Sequence, residues 1–266
     1  MNERLAHAKI NLALVVGPSR PDGKHEVTTV LQRIALADRI RLEPAHRLVV
    51  EGFEDDTLVR RALEVLAAEA GVGSAWRAVI AKEIPVAAGL GGGSSDAAAA
   101  LTLANATLDR PVADRRLHEL AACLGADVPF FLTSGPQLGE GDGTALVALE
   151  LPQAFTVLVL VPDGESKAST GGVYAEFDGR NGPVGYEERR SRLLQALASG
   201  DLGGLPPNDL AESPHTETLR RLGAFRADVS GAGPAVYGLF ADAPTAAAAK
   251  ARIEPLGRVW IGPPAW

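Results

Sequence analysis

The sequence predicts an α+β protein in two domains, residues 1–150 and 151–266. Three observations carry this. The chain has 266 residues, 46% hydrophobic and 22% charged, enough to bury two ordinary cores. Both halves mix helical periodicity with short alternating segments that suit antiparallel sheet. Near Leu151 to Thr156 a proline follows "ALVALEL" and the chain restarts as the apolar run "FTVLVLVP", as a second domain often begins.

The first half opens with a strand, Arg4 to Val16. In "AHAKINLAL" the even positions Ala6, Ala8, Ile10, Leu12 and Leu14 make one apolar face, and His7, Lys9 and Asn11 alternate onto the other. Lys9 and Asn11 therefore point the same way. That polar face suits a hydroxylated, phosphorylated ligand, and it equally suits solvent; the alternation alone does not choose. A strand pair follows over Val27 to Glu51, then a helix over Thr57 to Ala70 and a strand over Trp76 to Lys82. A glycine-rich loop leads into a helix from Ser95 to Thr107. The helix Asp114 to Leu124 ends at Gly125, and Pro129 starts the next element. "SGPQLGEGDGTAL" (134 to 146) reads as a glycine-rich hairpin.

The second half reads as a strand (Phe155 to Val161), a loop, helices from Tyr186 to Ser199 and His215 to Leu222, and a strand from Ala227 to Val229. A glycine turn, a strand (Ala235 to Phe240), a helix (Ala243 to Arg252) and a strand (Arg258 to Ile261) complete a split βαβ pattern. "PNDLAE" (207 to 212) is read as helix capping by Asn208 or Asp209.

Charge and composition exclude several functions. A net charge of −7 argues against nucleic acid or an acidic membrane as partner, since both need a concentrated basic field. No apolar run approaches the roughly 20 residues of a bilayer span, and "MNERLAHAK" lacks a secretion signal's apolar stretch, so a cytoplasmic protein is expected. The single cysteine, Cys123, sits in the apolar helix pattern "LHELAACLG" and is expected to be an inert core thiol. The histidines show no ligand spacing, and no structural metal is assigned.

The most informative stretch is "IPVAAGLGGGSSDAAAAL", Ile84 to Leu101. No lysine follows Gly91, Gly92 or Gly93 as a mononucleotide P-loop requires. A dinucleotide fingerprint started at Gly89 or Gly91 meets Ser94 or Asp96 at its third glycine position. What remains is the physics common to both: bare N–H groups at a helix N-terminus, where partial positive charge attracts phosphate. Ser94 and Ser95 add hydroxyls, one of which could reach a metal ion. The alternative is a flexible loop before a helix capped by Ser95 or Asp96.

"PVAAGLGGGSSDAA" resembles the phosphate-loop signature of the GHMP family of small-molecule kinases. Other blocks agree in family order: "AKINLAL" (8 to 14), "DGKHEVTTVLQRIALAD" (22 to 38), "LGADVPFFL" (124 to 132) and "VSGAGP" (229 to 234). The resemblance implies a ribosomal protein S5 domain 2-like N-terminal domain and a ferredoxin-like C-terminal domain, with the active site in the cleft between them. It implies transfer of the γ-phosphoryl of ATP, with Mg2+, to a hydroxyl. The extra glycines point to the branch whose acceptor is a cytidine diphosphate-linked methylerythritol, on the methylerythritol phosphate route to isoprenoids. A sibling kinase for homoserine or mevalonate and a non-catalytic nucleotide-binding relative are the alternatives. A monomer or weak homodimer is expected.

Carried onto this sequence, the resemblance assigns ATP to Pro85, Gly89, Leu90, Gly91, Gly92, Gly93, Ser94 and Ser95. It makes Asp127 the base that accepts the hydroxyl proton and Lys9 its charge partner. From residues alone Asp127 reads as an N-cap over Val128 and Pro129. The acceptor falls to Asn11, His25, Tyr174, Gly231 and Gly233. At Lys24 the chain departs from the family, which usually has tyrosine there, so one ring expected to stack on cytosine is missing. Tyr174 is expected to hold one face of the base while the Lys24 stem covers the other or its ammonium pairs with the diphosphate. Ala232 stands where a hydroxyl residue is common.

Overall fold

β-Branched and leucine-rich segments favour strands, and this chain carries two unusually long ones. The computed structural model describes residues 2–53, 58–73, 75–165 and 169–266. The first strand, β1 (Asn2–Ser19), and the second, β2 (His25–Pro44), are each longer than expected. The expected strand pair over Val27 to Glu51 is one strand, β2, followed by a short β3 (Val49–Glu51). "HEVTTVLQRIALADRIRLEP" contains no glycine, and its proline comes at the end, so nothing interrupts it.

The chain divides into two compact units that interleave in sequence. The first comprises Met1–Ala8, Leu36–Val86 and Gly91–Ser134. Here β4 (Trp76–Ala81) pairs antiparallel with the end of β2, Arg39 opposite Ala81 and Pro44 opposite Trp76, and parallel with β3. Helices α2 (Gly92–Asn105) and α3 (Asp114–Leu124) pack against α1 (Leu58–Ala70). The expected start of α1, Thr57, lies outside the described residues. α2 is buried on nearly all sides, which its run of alanines permits because small side chains let neighbouring elements approach closely. Cys123, expected in the core, is exposed: Leu117, Leu120, Ala121 and Leu124 form the buried stripe of α3, and position 123 falls off it.

The second unit comprises Lys9–Ala35, Ala87–Leu90 and Gly135–Trp266. Here β1 turns back into β2, and the hairpin β5 (Gln137–Glu140) and β6 (Ala145–Ala148) adds to β2 with Val30 opposite Leu138. β7 (Thr156–Pro162), β8 (Arg226–Val229), β9 (Val236–Phe240) and β10 (Gly257–Gly262) form an antiparallel sheet in the order β10-β7-β9-β8. Numbered by appearance that order is 4-1-3-2, the split βαβ arrangement. Leu158, Leu160, Val236 and Phe240 from this sheet join Leu219 of α6 (Pro214–Arg221) and Ala246, Ala249 and Ile253 of α7 (Ala243–Ile253) in one core. A short β11 (Pro264–Ala265) returns to β2.

The stretch expected to be a loop before Tyr186 contains a helix, α4 (Thr170–Gly179), ahead of α5 (Tyr186–Ser199). Gly171 and Gly172 weaken its helical propensity. The Ser169 hydroxyl caps it by accepting from the Gly172 N–H, and Val173 and Phe177, one turn apart, pack against Leu14, Val16, Val27 and Leu210. Tertiary packing therefore makes this helix.

Candidate active site

The glycine loop leads into α2 without a side-chain cap. Gly91, at φ 70°, is the N-cap residue, so Gly92, Gly93 and Ser94 lie in the first turn and neither Ser95 nor Asp96 caps the helix. Gly91 accepts from the Ser95 N–H through its carbonyl, which leaves the first-turn N–H groups for solvent or a ligand. A Cβ on Gly93 would meet nothing within 4 Å. Gly89 is constrained differently: φ is +83°, and a Cβ there would lie 2.1 Å from the Ser230 carbonyl oxygen. Pro85, Leu90 and Ser95 are buried, and Ser94 is half-buried.

Asp96 instead belongs to a charged cluster beside this helix start. Lys82 Nζ donates to Asp38 Oδ2 at 2.5 Å and to Asp96 Oδ2 at 2.7 Å. Asp38 Oδ1 accepts from the N–H groups of Glu83 and Ile84 at 2.6 and 2.8 Å, fixing the chain as it leaves β4. Both aspartates are fully buried, and among the described residues Asp96 Oδ1 has no hydrogen-bond partner. Burial pushes the Asp96 carboxyl up to about 8; the Lys82 ammonium pulls it back and the Asp38 carboxylate pushes it further up. Burial works against the Lys82 charge, but Asp96 and Asp38 more than offset it, and its pKa is raised. Sequence reasoning missed Asp38 and Lys82, although both flank recognisable segments.

Asp127 is half-buried, between Gly125 at the end of α3 and a 3-10 turn, Pro129–Leu132, that packs against α2. It does not cap that turn: Val128 occupies the cap position with no side-chain bond.

In the second unit Lys9 and Asn11 are buried at 4% and 5% exposure, so their strand face does not meet open solvent. Lys9 Nζ donates to Asn11 Oδ1 at 2.6 Å, and Asn11 Nδ2 donates to Thr29 Oγ1 at 2.8 Å. Thr29 in turn donates to the Ala13 carbonyl. Gly231 and Gly233 form the turn after β8, and a Cβ on Gly231 would lie 3.4 Å from Lys9 Nζ and from the Gly89 carbonyl oxygen. Ser230 Oγ donates to that same carbonyl, and the Lys9 N–H donates to the Leu90 carbonyl. Asn208 is no helix cap: its Nδ2 donates to the carbonyls of Val229 and Gly231 at 3.0 and 2.7 Å. Asp209 accepts from the Val16 N–H and from Arg189. α6 is capped by Ser213.

His25 is buried against α4, its ring centroid 4.8 Å from that of Tyr174 at an interplanar angle of 30°. Its Nε2 lies 2.9 Å from Asp178 Oδ1. The exposed Lys24 donates to Asp142 at 2.5 Å. Burial opposes ionisation of Asp142, but bonds from Lys24 and Thr144 outweigh it and bring its carboxyl down to about 2. Lys24 is thus engaged with Asp142 and Tyr174 with His25.

Among the described residues no helix is long and apolar enough to cross a membrane, and no three His, Cys, Asp or Glu side chains gather as a metal cluster.

The model for the GHMP kinases N terminal domain matches residues 57–135, and that for the GHMP kinases C terminal matches 216–256. The 4-diphosphocytidyl-2-C-methyl-D-erythritol kinase of Pelotomaculum thermopropionicum is 39% identical over 93% of this chain and 92% of its own. That of Symbiobacterium thermophilum is 36% identical over 96% of both. A crystal structure of 4-(cytidine 5'-diphospho)-2C-methyl-D-erythritol kinase superimposes with a TM-score of 0.82 at 33% identity, covering 100% of both chains. A homoserine kinase from Cytophaga hutchinsonii (TM-score 0.68, 16% identity) shares the fold.

Proposed function

The chain belongs to the 4-diphosphocytidyl-2-C-methyl-D-erythritol kinase family, within the GHMP kinases, and on that premise we propose how its residues divide the work. It is an ATP-dependent kinase, and its reaction is phosphorylation of a hydroxyl of 4-diphosphocytidyl-2-C-methyl-D-erythritol in isoprenoid precursor synthesis; we place that reaction in the cytoplasm. Neither the homoserine nor the mevalonate alternative has comparable support, since those likenesses fall at 12 to 16% identity in the examples above and a Methanococcus jannaschii mevalonate kinase.

The observation that carries the residue assignment is the uncapped start of α2. Its N–H groups, with the loop from Pro85 through Gly89 and Leu90 to Gly91, Gly92, Gly93, Ser94 and Ser95, take the phosphates of ATP. No described residue comes within 4 Å of where a Gly93 Cβ would sit, so a phosphate oxygen can approach the backbone closely.

Asp127 accepts the proton as the acceptor hydroxyl attacks the γ-phosphorus, and Lys9 supplies positive charge for the phosphoryl group in flight. Asn11 holds Lys9 through a 2.6 Å bond and is itself fixed by Thr29, so the ammonium is restrained before substrate arrives. The Gly231 and Gly233 turn, tightened by the Gly233 N–H on the Ser230 carbonyl, lies against the diphosphate. His25 and Tyr174 meet the cytosine, and Lys24, released from Asp142, pairs with the diphosphate.

Mg2+ takes hard oxygen ligands, several of them from phosphate and water, and the Ser94 or Ser95 hydroxyl would add one from the protein. When bound it neutralises phosphate charge.

The test is ADP release from purified protein with ATP and a panel of alcohols. The cytidyl acceptor should be turned over, and homoserine and mevalonate should not. Asp127→Asn should lower kcat by about 10²- to 10⁴-fold with unchanged circular dichroism, the usual range for a lost general base. Turnover unaltered in that variant would remove Asp127 from its role.

A further inference from the structure

We propose that Asp178 is a positioning residue that makes the pocket selective for an amino-pyrimidine over an oxo-pyrimidine by fixing which nitrogen of His25 carries the hydrogen. This rests on the reading above in which His25 meets the base.

α4 places Tyr174 and Asp178 four positions apart, on one face of the helix. Both engage the same imidazole: the Tyr174 ring lies over it, and Asp178 Oδ1 is 2.9 Å from Nε2. Phe177 presents an edge to that imidazole, with centroids 6.2 Å apart, and is anchored in the core with Leu14, Val16 and Val27. Ser19 Oγ is 3.4 Å from the same Nε2. The ring therefore has neighbours on three sides, with the exposed Asp178 carboxylate at Nε2.

A carboxylate can only accept, so Nε2 carries the hydrogen and donates it to Asp178. A neutral imidazole protonated at Nε2 presents a bare lone pair at Nδ1. That lone pair complements a donor. Cytosine offers an exocyclic amine at its 4-position, where the oxo-pyrimidine offers a carbonyl oxygen, an acceptor facing an acceptor. Sites built to bond one polar group discriminate strongly against an analogue that leaves both sides unpaired. Without Asp178 the nearest remaining partner is the Ser19 hydroxyl, which can donate to Nε2. The hydrogen then moves to Nδ1 and the preference weakens.

Two measurements decide this. In the first, kcat/KM is compared for the cytidine diphosphate-linked and uridine diphosphate-linked acceptors. Asp178→Ala should cut the preference for the cytidyl acceptor by about tenfold or more, through a raised cytidyl KM with kcat nearly unchanged, and Asp178→Glu should restore much of it. In the second, long-range 1H–15N spectra of the imidazoles, with His25 assigned by its loss in His25→Gln, should show the Nε2–H form in the unaltered protein. Asp178→Ala should shift it toward Nδ1–H. An unchanged preference in Asp178→Ala, or an Nδ1–H form in the unaltered protein, overturns the proposal. A failure to phosphorylate either acceptor would instead sink the proposed function, and the spectra would still decide the tautomer.

Discussion

At the start of α2 the polar groups offered to a ligand are peptide N–H groups, made available by glycines and by the lack of any capping side chain. Around Lys9 and His25 the polar groups are side chains, each held by another from a distant part of the sequence: Asn11 by Thr29, the 229–231 turn by Asn208, His25 by Asp178. On the proposed division of the site, the contrast follows from what each end recognises. Phosphate is common to many ligands, and a row of N–H groups with a helix dipole suffices for it. A particular base and alcohol demand a particular pattern of donors and acceptors, which only placed side chains supply.

Substitutions should separate the two modes of construction. The largest effect is expected from Gly89→Ala, since a Cβ 2.1 Å from the Ser230 carbonyl oxygen, at φ +83°, cannot be accommodated without moving backbone. The expected loss is roughly 2–4 kcal/mol in urea unfolding. Asn208→Ala comes next. It leaves the buried carbonyls of Val229 and Gly231 without their donor, and a loss of about 1–3 kcal/mol is expected, with a raised KM for the acceptor and little change for ATP. Gly93→Ala reverses the pattern: the added methyl meets no protein atom, so stability should hold or rise slightly while KM for ATP rises about tenfold. An unaffected ATP KM would mean the nucleotide does not use this turn.

The smallest effect probes the cluster beside the loop. With its carboxyl raised to about 8 from an ordinary 3.8, Asp96 keeps in the folded protein a proton that the unfolded chain releases. Stability contributed by the protonated form is present at low pH and is lost as pH rises between those values. Asp96→Asn removes this titration, so the fall in urea midpoint between about pH 5 and pH 8 should be shallower than in the unaltered protein.

Legibility in the sequence follows the same division. The glycine loop, the cap position of α3 at Gly125, the β5 and β6 hairpin and the split βαβ order could be read because each depends on neighbours in sequence. The side of β1 that carries Lys9 and Asn11 could be read from alternation, but its burial could not, because the atoms that cover it come from Thr29 and from the turn near residue 231. α4 was invisible because its glycines argue against helix and its support comes from Val27 and Leu210. The capping role expected of Asn208 failed for the same reason: a short polar segment offers caps and long-range bonds alike.

By itself the sequence determined most of the elements and the bare glycine turn before α2, since spacing, backbone freedom and propensity act over a few residues, and its ordered motifs carried the resemblance to a kinase family. Tertiary structure decided which polar groups meet: Lys82 with Asp38 and Asp96, Asn208 with the 229–231 turn, Asp178 with His25. A buried polar group takes whichever partner folding brings within about 3 Å, and sequence separation places no limit on where that partner comes from.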